Sequence, residues 1–161
     1  MNTETISTMD GHFAQDNLDL DICVKPCKTN VVTLSSRKIP KWYSETAESI
    51  YSILALSDNW DSYGANRFSQ ETAKAVDNLL RGIMHMNTPA PQLVPSASGT
   101  IQLEWHVGGI DLEIEVESLS TSYVFFEDEK NQEPLWEGEI KYDLSKLVHY
   151  INILTERVTL N

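Results

Sequence analysis

Basic residues are scarce in this chain: 12 Lys and Arg stand against 24 Asp and Glu in 161 residues, for a formal net charge of -12. Phosphate recognition needs clustered cations to displace counterions, so this balance argues against direct binding to nucleic acid and in favour of basic protein surfaces as partners. Cysteine is nearly absent. Cys23 and Cys27 are separated by Val24, Lys25 and Pro26, and two thiols fall short of the four ligands of a structural zinc site. They read as reduced thiols on a loop, with a redox pair or an intermolecular metal site as the alternatives.

Long apolar runs are missing too. No stretch approaches the roughly 18 residues needed to span a bilayer, and the first residues, MNTETISTMDGHFAQDNLDLD, have neither the basic start nor the apolar run of a signal peptide. No membrane association and a cytoplasmic location are expected. Also absent are a Walker A sequence, H-E-x-x-H, G-x-G-x-x-G and G-x-S-x-G, so no cofactor is expected and no nucleophile motif accompanies the histidines. His12, His85 and His149 are scattered singly as ordinary surface or boundary residues.

What is present suits one domain, since a chain of this length can bury roughly two-thirds of its unfolded surface. Residues 1–38 mix Asp, Asn, Thr and Ser without a sustained period and read as an irregular or partly disordered extension, with short strand-like pieces such as 31–34. Residues 39–161 read as a single α+β domain. Pro40 suits a helix start, and Trp42, Ala47, Ile50, Tyr51 and Leu54 follow at helical spacing, with a stop near Ser57. After a turn-rich loop over 58–68, Ser69 is the expected N-cap of a second helix, with Ala73, Val76, Leu79, Leu80 and Ile83 as its buried stripe and Asn87, Pro89 and Pro91 ending it.

The centre of the chain alternates strictly. Ile101, Leu103, Trp105 and Val107 interleave with Gln102, Glu104 and His106; beyond Gly108 and Gly109, Ile110, Leu112, Ile114 and Val116 interleave with Asp111, Glu113 and Glu115. A two-residue Gly-Gly turn closes a hairpin, because both turn positions require positive φ. Its register then pairs Val107 with Ile110, Trp105 with Leu112, Leu103 with Ile114 and Ile101 with Val116, bringing all eight apolar side chains to one face. Strands over 123–126 and 135–140 extend this to a four-stranded antiparallel meander. A last helix starts at the N-cap candidate Asp143 and presents Leu144, Leu147, Val148, Ile151 and Leu154. The expected order is ααββββα, with the helices on one face of the sheet.

The same register places Glu104 opposite Glu113, Gln102 opposite Glu115 and His106 opposite Asp111. Residues 101–140 hold eleven carboxylates against the single Lys130, so most of the excess charge belongs to the sheet, where like charges across strands cost stability. Three readings stand side by side. The face is a solvated surface whose charge keeps strands from adding to neighbours; it is a docking surface for a basic partner such as a nuclease or DNA-binding protein; or Glu104, Glu113 and Glu115 share a hard cation such as Mg²⁺ or Mn²⁺. His106 beside Asp111 reads as a hairpin-end ion pair. In the loop, Trp60 and Tyr63 either wedge onto the core while Asp61 caps a turn, or stand exposed as aromatic anchors of an interface; Trp136 on the fourth strand could join either role.

The segments Asn59-Trp60-Asp61 and Tyr63-Gly64-Ala65, with Pro95, Gly99, Ile101-Gln102-Leu103-Glu104-Trp105-His106 and GIDLEIEV over 109–116, resemble an uncharacterised family of small bacterial and phage proteins. That family carries N-W-D-G-x-G-A and G-G-I-Q-L-E-W-H type motifs, and the resemblance covers roughly residues 40–155. Ser62 stands where the pattern has Gly, and Thr100 departs from Gly-Gly-Ile. The resemblance implies no catalytic residue; by analogy of class it points to antitoxins or phage anti-defence inhibitors. The leading expectation is a non-enzymatic acidic protein that inhibits or modulates a partner acting on nucleic acid, through Glu104, His106, Asp111, Glu113, Glu115, Trp60 and Tyr63. A metal-dependent hydrolase and a subunit of a larger assembly are the alternatives.

Overall fold

A computed structural model describes residues 38–130 and 133–160. The extension over 1–38, with Cys23, Cys27, His12 and the strand-like piece at 31–34, falls outside the described residues except for Lys38.

Among the described residues three helices and one sheet follow in the order α1 Lys41–Leu54, α2 Gln70–Ile83, β1 Gln92–Pro95, β2 Ile101–Val107, β3 Ile110–Val116, β4 Thr121–Asp128, β5 Trp136–Lys141 and α3 Ser145–Thr159. The α+β class stands, but the sheet has five antiparallel strands in the order β1-β2-β3-β4-β5 rather than four. The extra strand, QLVP, pairs Leu93 with Leu103 and ends on Pro95 opposite Ile101. A strand this short with a proline is tolerated because it lies at the sheet edge, where a missing N–H breaks no ladder.

The hairpin register is the one the alternation dictates: Ile101 faces Val116, Leu103 Ile114, Trp105 Leu112 and Val107 Ile110. Gly108 and Gly109 close it at φ 68° and 75°. Inward side chains of β2, β3 and β4 pack with Val76, Leu80 and Ile83 of α2 and Leu147, Ile151 and Leu154 of α3 in one core. Phe126 stacks on Tyr150 at 3.8 Å between centroids and 5° between planes, adding roughly a kcal/mol to burial.

Several helix details differ from the sequence expectation. Helix α1 ends at Leu54, short of Ser57, and its buried residues are Trp42, Thr46 and Ile53, while Tyr51 is 59% exposed. Of the expected stripe Trp42 is buried and Ile50 and Leu54 pack against the core, while Thr46 takes a further inward place, its hydroxyl donating to the Trp42 carbonyl at 2.7 Å. Ser69 is the N-cap of α2, its Oγ accepting from the Thr72 N–H at 3.0 Å. Helix α3 begins at Ser145 with Leu144 at the N-cap; Asp143 instead closes a turn just ahead of it, accepting from the Ser145 N–H at 2.9 Å. Strand β5 starts one residue later than expected, leaving Leu135 60% exposed.

Two polar locks fix the layers. The loop after α2 is tied down by Trp42 Nε1, which donates to the His85 carbonyl at 2.9 Å, and by Trp105 Nε1, which donates to the Pro89 carbonyl at 2.9 Å. At the far end of the sheet Arg157 of α3 forks onto Asp128 of β4, with Nη1 to Oδ1 at 2.5 Å and Nη2 to Oδ2 at 2.9 Å. Asp128 also accepts from the N–H groups of Lys130 and Glu133. The same Arg157 stem lies against the turn, where a Cβ on Gly108 would meet its Cγ at 3.3 Å.

Candidate functional site

With the apolar half of each strand turned to the helices, the other half makes an outer face. Its residues are Gln102, Glu104 and His106 of β2, Asp111, Glu113 and Glu115 of β3, Thr121, Tyr123, Phe125 and Glu127 of β4, and Glu137, Glu139 and Lys141 of β5. Seven of these are carboxylates. Five of the expected site residues, Glu104, His106, Asp111, Glu113 and Glu115, are therefore neighbours on two adjacent strands, and Glu104 does face Glu113.

The like charges are managed by neutral partners at Glu113 and Glu115 and by basic ones at Glu139, which Lys141 Nζ meets at 2.8 Å, and at Asp111, which His106 meets. Gln102 Nε2 donates to Glu113 Oε2 at 2.7 Å, and the Thr100 hydroxyl donates to Glu115 Oε1 at 2.7 Å. His106 lies between two carboxylates, with Nδ1 at 2.8 Å from Asp111 and Nε2 at 3.5 Å from Glu104. The Asp111 hydrogen bond, aided by Glu104, holds the imidazole above its ordinary pKa. Glu104, Glu113 and Glu115 thus point to separate partners. Among the described residues no three His, Cys, Asp or Glu side chains converge where a metal ion could be held.

Reading the strands one at a time misses two aromatics on this face. Phe125 sits directly between Glu113 of β3 and Glu137 of β5, and Tyr123 between Glu115 and Glu139. Tyr123 is 42% exposed and its hydroxyl donates to Glu137 Oε1 at 2.8 Å, which raises its pKa. A signal for them exists in the sequence: Val124 and Phe126 must face inward for the meander to close, so Tyr123 and Phe125 must face outward.

The loop aromatics belong elsewhere. Trp60 packs on the core beside Phe68, 6.0 Å between centroids, and its buried Nε1 has no acceptor among the described residues. Tyr63 is 94% exposed, so the two split the expected roles: Trp60 is the wedge and Tyr63 the displayed ring. The backbone between them is fixed by side-chain acceptors. Asp61 Oδ1 takes the N–H groups of Tyr63 at 2.8 Å and Ala65 at 3.0 Å, while Asn59 Oδ1 takes that of Gly64 at 2.8 Å. Those bonds, the Ala65 one foremost, hold the Asp61 carboxyl below its ordinary pKa. They also hold Asn59 and Ser62 at φ 62° and 66°, conformations that a residue with a side chain adopts only under local constraint. Trp136 is half-buried on the helix side, 6.2 Å from Tyr150 and capped by the Lys146 ammonium at 3.7 Å, so it is a core-edge residue rather than a displayed anchor.

Comparison with family models, with curated proteins and with solved structures found no match for this chain. Among the described residues no helix is long and apolar enough to cross a membrane.

Proposed function

We propose that this chain is a non-enzymatic binding module that docks a basic protein surface on the outer face of its sheet. The cationic cleft of a nuclease or of a DNA-binding protein is the surface it fits, and occupying such a cleft makes the chain an inhibitor or modulator in the manner of antitoxins and phage anti-defence proteins. The observation that carries this reading is the outer face itself: seven carboxylates surround Phe125 and Tyr123, with only His106 and Lys141 as basic groups among them. Guanidinium and ammonium groups are attracted by the carboxylates and can stack on the rings, a combination that supplies fast, salt-sensitive association together with a desolvated centre. Hydrolysis by Glu104, Glu113 and Glu115 would first require each to leave the partner it now holds.

The test is affinity capture from a bacterial lysate at low and high salt with wild type and with Glu104, Glu113 and Glu115 changed together to Gln. Capture of a basic nucleic-acid-acting protein by wild type, weakened by salt and lost in the triple variant, supports the reading. Equal capture by both proteins overturns it and moves attention to Tyr63. Millimolar Mn²⁺ or Mg²⁺ leaving the melting temperature unchanged removes the hydrolase alternative.

A further inference from the structure

Sheet edges are templates for another strand, and this sheet treats its two edges differently. Strand β1 is four residues long, ends on Pro95 and is packed by α1. Strand β5 is six residues long, contains no proline, and among the described residues has a strand partner on one side only, β4. Its parity is fixed: the Tyr142 N–H bonds the Ser120 carbonyl, so alternate residues going back, Ile140, Gly138 and Trp136, bond toward β4. Glu137, Glu139 and Lys141 therefore direct their N–H and C=O groups away from β4, the Lys141 carbonyl already accepting from the Asp143 N–H at 2.6 Å, and their side chains stand on the outer face.

We infer that the β5 edge accepts an extended basic segment of the partner as a sixth strand. Residues directly opposite each other across an antiparallel ladder share a face, so the residues bonded to Glu137 and Glu139 would place their side chains beside those two carboxylates. That calls for Lys or Arg at alternate positions, with Tyr123 one strand further in. Exposed apolar residues bracket the edge: Leu135 at one end, 60% exposed, and Tyr142 at the other, 84% exposed. Tyr142 is held at φ 58°. A second copy of this chain is the competing occupant, and a net charge of -12 on each copy opposes it.

The inference rests on the docking role proposed above, and its test separates the two. The probe is a capped ten-residue peptide with Lys at alternate positions and Val or Thr between them. It is compared with a peptide of the same composition carrying its lysines in one block, and with a version N-methylated along one backbone edge. Supporting results are slowed amide exchange at Glu137, Glu139 and Lys141 on binding, binding weakened at least tenfold by N-methylation through the loss of several hydrogen bonds, and a Glu137→Lys/Glu139→Lys variant that rejects the Lys peptide and takes one with Glu at those positions. Equal binding of all three peptides without exchange protection overturns strand addition while leaving the acidic face as a docking surface. If no basic peptide binds even at low salt, both readings fall. Concentration-dependent dimers that protect the same three amides would assign the edge to a second copy and overturn the inference.

Discussion

One strand of this protein carries two kinds of acid. On β4, Asp128 is turned inward with a fully buried side chain and is matched by a guanidinium and backbone N–H groups, whereas Glu127, one residue earlier, stands in solvent on the outer face. Extended over the sheet, the contrast is between charge that is structurally committed and charge that is merely tolerated. The inward set holds the layers together. The outer set adds nothing to the core and costs some repulsion.

The contrast breaks most visibly at the committed acid. Changing Asp128 to Ala leaves Arg157 buried without its forked partner and frees the N–H groups it accepts, and the expected loss is about 3–5 kcal/mol. Urea unfolding reads this directly. Adding Arg157→Met to the same protein should recover part of the loss, because the buried charge is then gone; a double variant no better than the single one would show that the turn at 128–133, not the ion pair, sets the cost. Deleting apolar volume on the same inward face comes next: Leu112→Ala, at a site with 0% exposure between β2, β4 and the helices, should cost about 3 kcal/mol through lost burial and a residual cavity.

The tolerated acids should respond in the opposite direction. Glu113→Gln removes one of two carboxylates that face each other across β2 and β3 while keeping a group that can bond Gln102. Stability is expected to change by no more than about 0.5 kcal/mol, upward at low salt, with the difference shrinking as salt is added. A loss comparable to that of Leu112→Ala would mean that this face is structurally committed after all.

How much of this is legible without coordinates depends on whether the information is local. The hairpin is fully readable, since eight apolar positions, two glycines and a period of two admit one register. The N-cap at Ser69 is readable because its signal spans four residues. Strand β1 is not, for QLVP is too short to show alternation, follows Pro91 and ends on Pro95, and prolines punctuate a sequence as loop. The pairing of Asp128 with Arg157 is beyond reach: the two are 29 residues apart, and nothing in either neighbourhood distinguishes a buried charge from an exposed one. Tyr123 and Phe125 lie between these cases. Their strand is recognisable, but their face follows only once the neighbouring strands fix its parity.

His106 supplies the finest test of the contrast, because it is the one group on the outer face that can change sign near neutrality. Its folded-state pKa is raised, by the Asp111 hydrogen bond first and Glu104 after it, above the roughly 6.5 expected of the unfolded chain. The stabilisation is therefore complete below about pH 6.5 and is lost as pH rises through the folded value. With its side chain 51% exposed, solvent screens the effect, and it should be smaller than that of Glu113→Gln at low salt. Measured as the stability of wild type minus that of His106→Ala, the difference should be larger at pH 5.5 than at pH 8.5, and an NMR titration of the imidazole should place its midpoint above that of a model peptide. A difference that does not vary with pH would mean that Glu104 and Asp111 do not favour the imidazolium in the folded chain, and the outer face would then carry its repulsion undiminished at every pH at which its carboxylates are ionised.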